Sequence, residues 1–132
     1  MRLVDGLASL IDMLPHQGDR NSLTIQRRQI LNQDVFFLSG RMDAESAPQF
    51  EEDCKAWIAE GHKNLVVDLG ELEYVSSMGL RSFLAIAKTL QGKGGALRIC
   101  RLTGLVKQVF EITGLGRVFH FYESAESAIA GG

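Results

Sequence analysis

Apolar residues recur along this chain with two different periods. Leu3, Val4, Leu7, Leu10, Ile11 and Leu14 follow the i, i+1, i+4, i+7, i+8, i+11 spacing of one helix face, which Pro15 ends. His16–Asn21 is polar, so residues 1–21 read as an amphipathic helix with its linker and residues 22–132 as the domain it precedes. From Ser22 the pattern changes. Ser22–Leu31 alternates weakly, Asn32-Gln33-Asp34 offers turn chemistry, and Val35–Leu38 is a short apolar run that Gly40 interrupts, together a β-hairpin. Ser46-Ala47-Pro48-Gln49 has the form of a capping box with proline in the first turn. Phe50, Cys54, Trp57 and Ile58 then supply a buried helical stripe that Gly61 stops.

The centre of the chain is more apolar. Asn64–Leu69 lacks alternation, as a strand covered on both faces does, and Gly70–Val75, with Glu71 and Glu73, reads as a surface loop. After Ser76-Ser77 a second helix carries Leu80, Phe83, Leu84 and Ala87 on one face, closed by Gly92-Lys93-Gly94-Gly95. Ala96–Cys100 is a strand; Leu105, Val106, Val109 and Phe110 mark a third helix ending at Thr113-Gly114. Val118–Tyr122 is a last strand, and Ser124 caps a short helix of Ala125–Ala130. Strands separated by long helical patterns pair in parallel through crossover helices. The expected fold is α/β: a mixed, mostly parallel sheet of four to five strands with an N-terminal hairpin, plus the extra N-terminal helix.

Composition narrows the function. The 132 residues, 45% hydrophobic and 23% charged, suit one soluble domain and one core. No apolar run approaches the ~18–20 residues of a membrane span, and Asp5 and Asp12 interrupt the only candidate leader, so a cytoplasmic protein that is not membrane-embedded is expected. A net charge of −2 with only loose basic clusters, Arg27-Arg28 and Lys93–Lys107, argues against nucleic acid. Cys54 and Cys100 sit in apolar patterns, and no Cys/His spacing suits a metal, so neither metal nor cofactor is expected. Val75-Ser76-Ser77-Met78-Gly79 lacks the first glycine of a nucleophile elbow, and His16, His62 and His120 have no evident acid partner near it. With no phosphate-binding glycine motif either, the chain does not read as an enzyme.

Three stretches then carry a resemblance. Val66–Leu84 (V-V-D-L-G-E-L-E-Y-V-S-S-M-G-L-R-S-F-L) resembles the signature of STAS domains, the anti-sigma factor antagonists and their relatives. Gly40-Arg41-Met42-Asp43 resembles the family's Gly-x-Leu-Asp, and Val109–Leu115 its late helix ending in Thr-Gly-Leu. The likeness runs from about Ser22 to Ala130.

The resemblance implies a partner switch. A serine kinase, often itself the anti-sigma factor, phosphorylates one serine and expels the domain, and a PP2C-type phosphatase restores it. The family acceptor lies two positions before the glycine of Asp-Ser-Ser-Gly, which is Ser77 here. The family aspartate is Ser76 and the second serine is Met78, so Ser76 stays as the alternative acceptor. Asp43, Ser76, Ser77, Met78, Gly79 and Arg81 are the expected partner-binding residues. Gly79 has two readings, a close-packing site or accessible backbone.

A serine at this place suits a switch physically. The first N–H groups of a helix lack intrahelical partners, so a hydroxyl on Ser77 would cap them and a phosphate would be tolerated there. A structural STAS subunit of a signalling scaffold or of a membrane transporter remains the alternative. The N-terminal apolar face would be buried against the domain, in a homodimer or in a larger assembly.

Overall fold

The computed structural model describes residues 22–131, so the helix expected over residues 1–14 lies outside the described residues. The hairpin comes first: β1 (Leu23–Ile30) and β2 (Gln33–Met42) pair antiparallel in register from Leu23 opposite Gly40 to Ile30 opposite Gln33. Its turn is two residues, Leu31-Asn32, and not Asn32-Gln33-Asp34. Both adopt left-handed backbone, φ 53° and 67°, the twist that joins antiparallel strands most tightly. Asp34 is therefore a strand residue and is buried. It accepts hydrogen bonds from Trp57 Nε1 and Arg27 Nη2, each at 2.9 Å, and these donors hold its carboxyl below the usual range, the indole first.

The chain continues as α1 (Ala47–Ala59), β3 (Asn64–Val75), α2 (Ser77–Gly92), β4 (Ala96–Cys100), α3 (Gly104–Ile112), a turn of 3₁₀ helix (Leu115–Arg117), β5 (His120–Tyr122) and α4 (Ala125–Ala130). The sheet order is β1-β2-β3-β4-β5, and every pair after the hairpin is parallel. This is the mixed, mostly parallel sheet with crossover helices that the pattern predicts.

The two faces of the sheet are unequal because the strands alternate. Phe36, Leu38, Leu65, Val67, Leu69, Leu97 and Ile99 point to one side, where α1, α2 and α3 cover them. The stripe Phe50, Cys54, Trp57 and Ile58 is buried as expected. Phe50 lies 5.0 Å from Phe83, and Phe83 lies 5.8 Å from Phe110, so one aromatic row ties the three helices together. The opposite residues, Val35, Val66 and Cys100, meet the short helix α4 through Ala125 and Ala128. Both cysteines are buried and free, and burial pushes the Cys100 thiol up to about 12.

Two elements are longer than the sequence suggests. β2 runs through Gly40, whose φ of 92° and close approach to the Ser22 carbonyl make it a bulge and not a stop. β3 runs to Val75, so Gly70–Val75 is strand and not loop. Leu72 and Val75 are buried in the core, while Glu71 and Glu73 face solvent. The last strand is correspondingly shorter, since Val118 is 43% exposed and precedes it. At the end of β4, Arg101 takes φ 56° and lays its guanidinium across Gly70, where any Cβ would collide with it. Its Nε donates to both oxygens of buried Asp68, at 3.0 and 2.9 Å.

Leu31 stands in left-handed backbone with its side chain exposed, so it carries the Cβ clash without a packing return. Leu31→Asn is expected to raise stability by about 1 kcal/mol in urea unfolding, because asparagine tolerates this conformation. A loss of stability would show that the leucine is held by contacts.

Candidate functional site

The parallel strands deliver the first turns of their following helices to one end of the sheet. Ser76 and Ser77 arrive there because β3 and β2 stay paired to the last residue, Met42 opposite Val75. The Ser76 N–H then donates to the Met42 carbonyl at 2.8 Å, closing the pairing one step beyond the strand. This bond places the loop after β2, which begins with Asp43, beside the turn that opens α2.

The two serines divide the work. Ser76 is the N-cap of α2, with extended backbone (φ −90°, ψ 174°), and its hydroxyl accepts from the Gly79 N–H at 3.2 Å. The sequence reading gave the capping hydroxyl to Ser77. The structure corrects this: Ser77 is the first residue of the helix, and the capping acceptor is the Ser76 hydroxyl. Ser77 is exposed, and among the described residues its hydroxyl makes no hydrogen bond to another group. The first turn of α2 contains no acid, so the positive end of a 16-residue helix has no covalent counter-charge.

Gly79 resolves to one of its two readings. It is buried, and a Cβ there would sit 2.7 Å from Val75 Cγ2 and 2.9 Å from Met42 Sδ. Its role is to let the helix start lie against the ends of β2 and β3. Met78 and Arg81 point outward; Met78 is 39% exposed, and Arg81 Nη1 lies 3.9 Å from its thioether sulfur.

Asp43 governs the neighbouring turn. Its Oδ1 accepts from the backbone N–H groups of Glu45 and Ser46, both at 3.0 Å, which lowers its pKa through the Ser46 amide above all. Ser46 does not form the expected capping box. It sits in helical backbone (φ −94°, ψ −21°), and its hydroxyl accepts instead from the Asp43 N–H at 2.9 Å. Gln49 turns to Asp53 at 2.8 Å. Asp43 thus shapes the loop beside Ser77.

One residue of this surface escapes the sequence reading. Leu105, one of the four apolar residues that mark the third helix, is 56% exposed in the first turn of α3. Leu105 lies about 40° beyond Val109 and about 140° from Phe110, so it stands at the outer edge of the stripe that Val106, Val109 and Phe110 form. Since α2 follows β3 and α3 follows β4, its neighbour, both helices start from the same end of the sheet.

The described histidines, His62 and His120, are elsewhere. His62 follows α1 and precedes β3, stacked on Trp57 at 4.6 Å between Asp34 and Glu60, and His120 opens β5. Both lie at the start of strands, the length of β3 away from Ser77. Among the described residues no base and acid are hydrogen-bonded to Ser77 as a serine nucleophile needs. Among the described residues no group of three or more His, Cys, Asp or Glu side chains converges on a metal-sized site, and no helix is long and apolar enough to cross a membrane.

The fold and this helix start define a class. The profile of the STAS domain matches residues 24–128, and the chain belongs to the STAS domain family. It is similar to BtrV of Bordetella bronchiseptica, with 40% identity over 93 residues that cover 70% of this chain and 80% of that protein. It is 30% identical to the anti-sigma-B factor antagonist of Staphylococcus aureus over 97 residues, 71% of this chain and 90% of that one. In structure it is similar to an anti-sigma factor antagonist from Mycobacterium paratuberculosis, with a TM-score of 0.75, 26% identity, and 83% and 93% of the two chains covered. It is an anti-sigma factor antagonist-like STAS domain.

Removing the Asp43 carboxylate should unmake the loop beside Ser77. Asp43→Ala is expected to cost about 1 kcal/mol at pH 7, the usual worth of such a cap. The folded pKa of Asp43 is depressed, so its contribution is complete above the unfolded carboxylate value and is lost as pH falls through the folded one. The gap between wild type and Asp43→Ala in urea midpoint should therefore hold at pH 7 and close progressively below about pH 4. A gap that persists unchanged into acid would mean that the carboxylate is not its source.

Proposed function

We propose that this domain is a phosphorylation-controlled antagonist of an anti-sigma factor that is itself a serine kinase, with Ser77 as the acceptor. The separation of the two hydroxyls carries the reading. Ser76 is engaged in capping, while Ser77 is exposed, unbonded and one residue further on. The kinase would transfer the γ-phosphoryl group of ATP to the Ser77 oxygen, whose proton leaves to a base as ADP departs. A PP2C-type phosphatase would hydrolyse the ester and return the hydroxyl.

The electrostatics support a reversible switch. A phosphate on Ser77 would add about two negative charges at a helix end whose dipole favours them. The fold would survive it because Ser77 is outside the core and outside the cap. The docking surface would not stay the same. Met78 offers exposed apolar area and Arg81 charge beside Ser77 on the first turn of α2, with the Asp43 loop alongside, a surface that a partner could cover while Ser77 is neutral. A dianion at its centre would have to be desolvated on binding, which opposes the complex. In this reading the domain works in the cytoplasm with its partners and performs no chemistry itself.

Incubation with the cognate kinase and ATP tests the assignment by intact mass. Wild type and Ser76→Ala should each gain one phosphate and Ser77→Ala none. The phosphorylated protein should bind the anti-sigma factor at least about tenfold more weakly, the loss expected when a charge is stranded in an interface. Undiminished phosphorylation of Ser77→Ala, or no gain by wild type, would sink the acceptor assignment. Stable retention of Ser77→Ala in a large complex with full function would point to a structural subunit instead.

A further inference from the structure

We propose that Arg81 is the internal counter-ion of a phosphate on Ser77, so that the modified helix start closes on its own side chain. The inference rests on reading Ser77 as an acceptor, and its test does not require the natural kinase.

Position decides the pairing. Ser77 and Arg81 stand at i and i+4 on α2, about 40° apart around the axis and roughly 5–6 Å apart between their Cβ atoms. Both are exposed. The acidic group is N-terminal to the basic one, the favourable order along a helix. Ser76 stands at i−5, about 140° away, and its backbone is extended. Arg81 can therefore close on one serine and not on the other.

Arg81 is also free to do so. Among the described residues it has no carboxylate partner, and its one side-chain contact is the weak one to Met78 Sδ at 3.9 Å. Arg41, on the strand that ends beside the turn, is committed, since it lies over the Tyr74 ring at 4.1 Å. The acids facing the turn do not compete well. The first turn of α2 has none, Asp43 is occupied by the Glu45 and Ser46 amides, and Glu45 and Glu73 are exposed on neighbouring elements. A guanidinium presents paired N–H donors that match phosphate oxygens, which neither a lone amide nor an ammonium does as well.

The consequence reaches beyond the ester. In the unmodified protein Arg81 lies against Met78, and both face outward where a partner would dock. Drawing the guanidinium to the phosphate removes a cation from the partner's reach and uncovers the Met78 thioether. Phosphorylation would then change three adjacent groups at once.

The test installs phosphoserine at position 77 during translation in the full chain and follows the phosphate by ³¹P NMR as pH is varied. The second ionisation should fall about 0.2–0.4 unit lower in the Arg81 protein than in Arg81→Ala, the shift a helical i, i+4 ion pair supports, and Arg81→Lys should recover part of it. With phosphoserine at position 76, Arg81→Ala should leave the titration unchanged. Equal titrations for wild type and Arg81→Ala at position 77 would overturn the proposal. So would an equal effect at both positions, which would mark a general field and not a clamp. A failed kinase assay would leave this result standing, because the phosphate is placed by synthesis.

Discussion

The bond from the Ser76 N–H to the Met42 carbonyl is the last rung of the β2–β3 pairing, and the arrangement of the functional end depends on it. Were β3 to stop at Leu69, the following residues would be a loop, and the two serines would have no defined place. Instead β3 crosses two register shifts in its pairing with β2 and keeps Leu72 and Val75 in the core. The helix start is thereby pinned against Met42, and Gly79 supplies the missing Cβ that lets it come so close. Asp43, one residue beyond Met42, is brought alongside by the same pairing. A small number of backbone bonds converts one end of the sheet into a built surface.

That surface works by allocation. The free amides of α2 need an acceptor, and Ser76 provides one from extended backbone. This leaves Ser77 without structural duty, on a helix end that carries partial positive charge and no acid. The proposed switch uses that unspent electrostatic capacity: a phosphate is accommodated by the domain and resisted by a partner. Arg81 refines the same scheme, because its position distinguishes the two serines where the sequence motif does not. The rigid three-helix face beneath, tied by Phe50, Phe83 and Phe110, keeps these few side chains in register.

Much of this was legible in the chain itself. The helical stripes of α1 and α2, the short β4 and the Ser124 cap follow from periodicity and turn chemistry, and the parallel sheet follows from their order. The differences share a cause: local signals point one way where tertiary pairing decides another. Glu71 and Glu73 look like loop residues, yet they are the outward positions of a strand that β2 holds. Leu31 looks like the end of a strand, yet pairing from Leu23 to Ile30 forces it into left-handed backbone. Ser46 has the form of a helix cap, but Asp43 claims its amide first. Leu105 marks the third helix, but at the outer edge of its apolar stripe it stays exposed. The Arg101–Asp68 contact, between residues far apart in sequence, carried no local signal beyond Gly70.

The division of labour between the two serines is the claim on which the functional account turns, and equilibrium urea unfolding of the paired variants reads it most directly. Ser76→Ala should lose about 1 kcal/mol, the worth of an N-cap, while Ser77→Ala should stay within about 0.5 kcal/mol of wild type, as an exposed substitution does. The reverse order, with Ser77→Ala carrying the loss, would contradict the account.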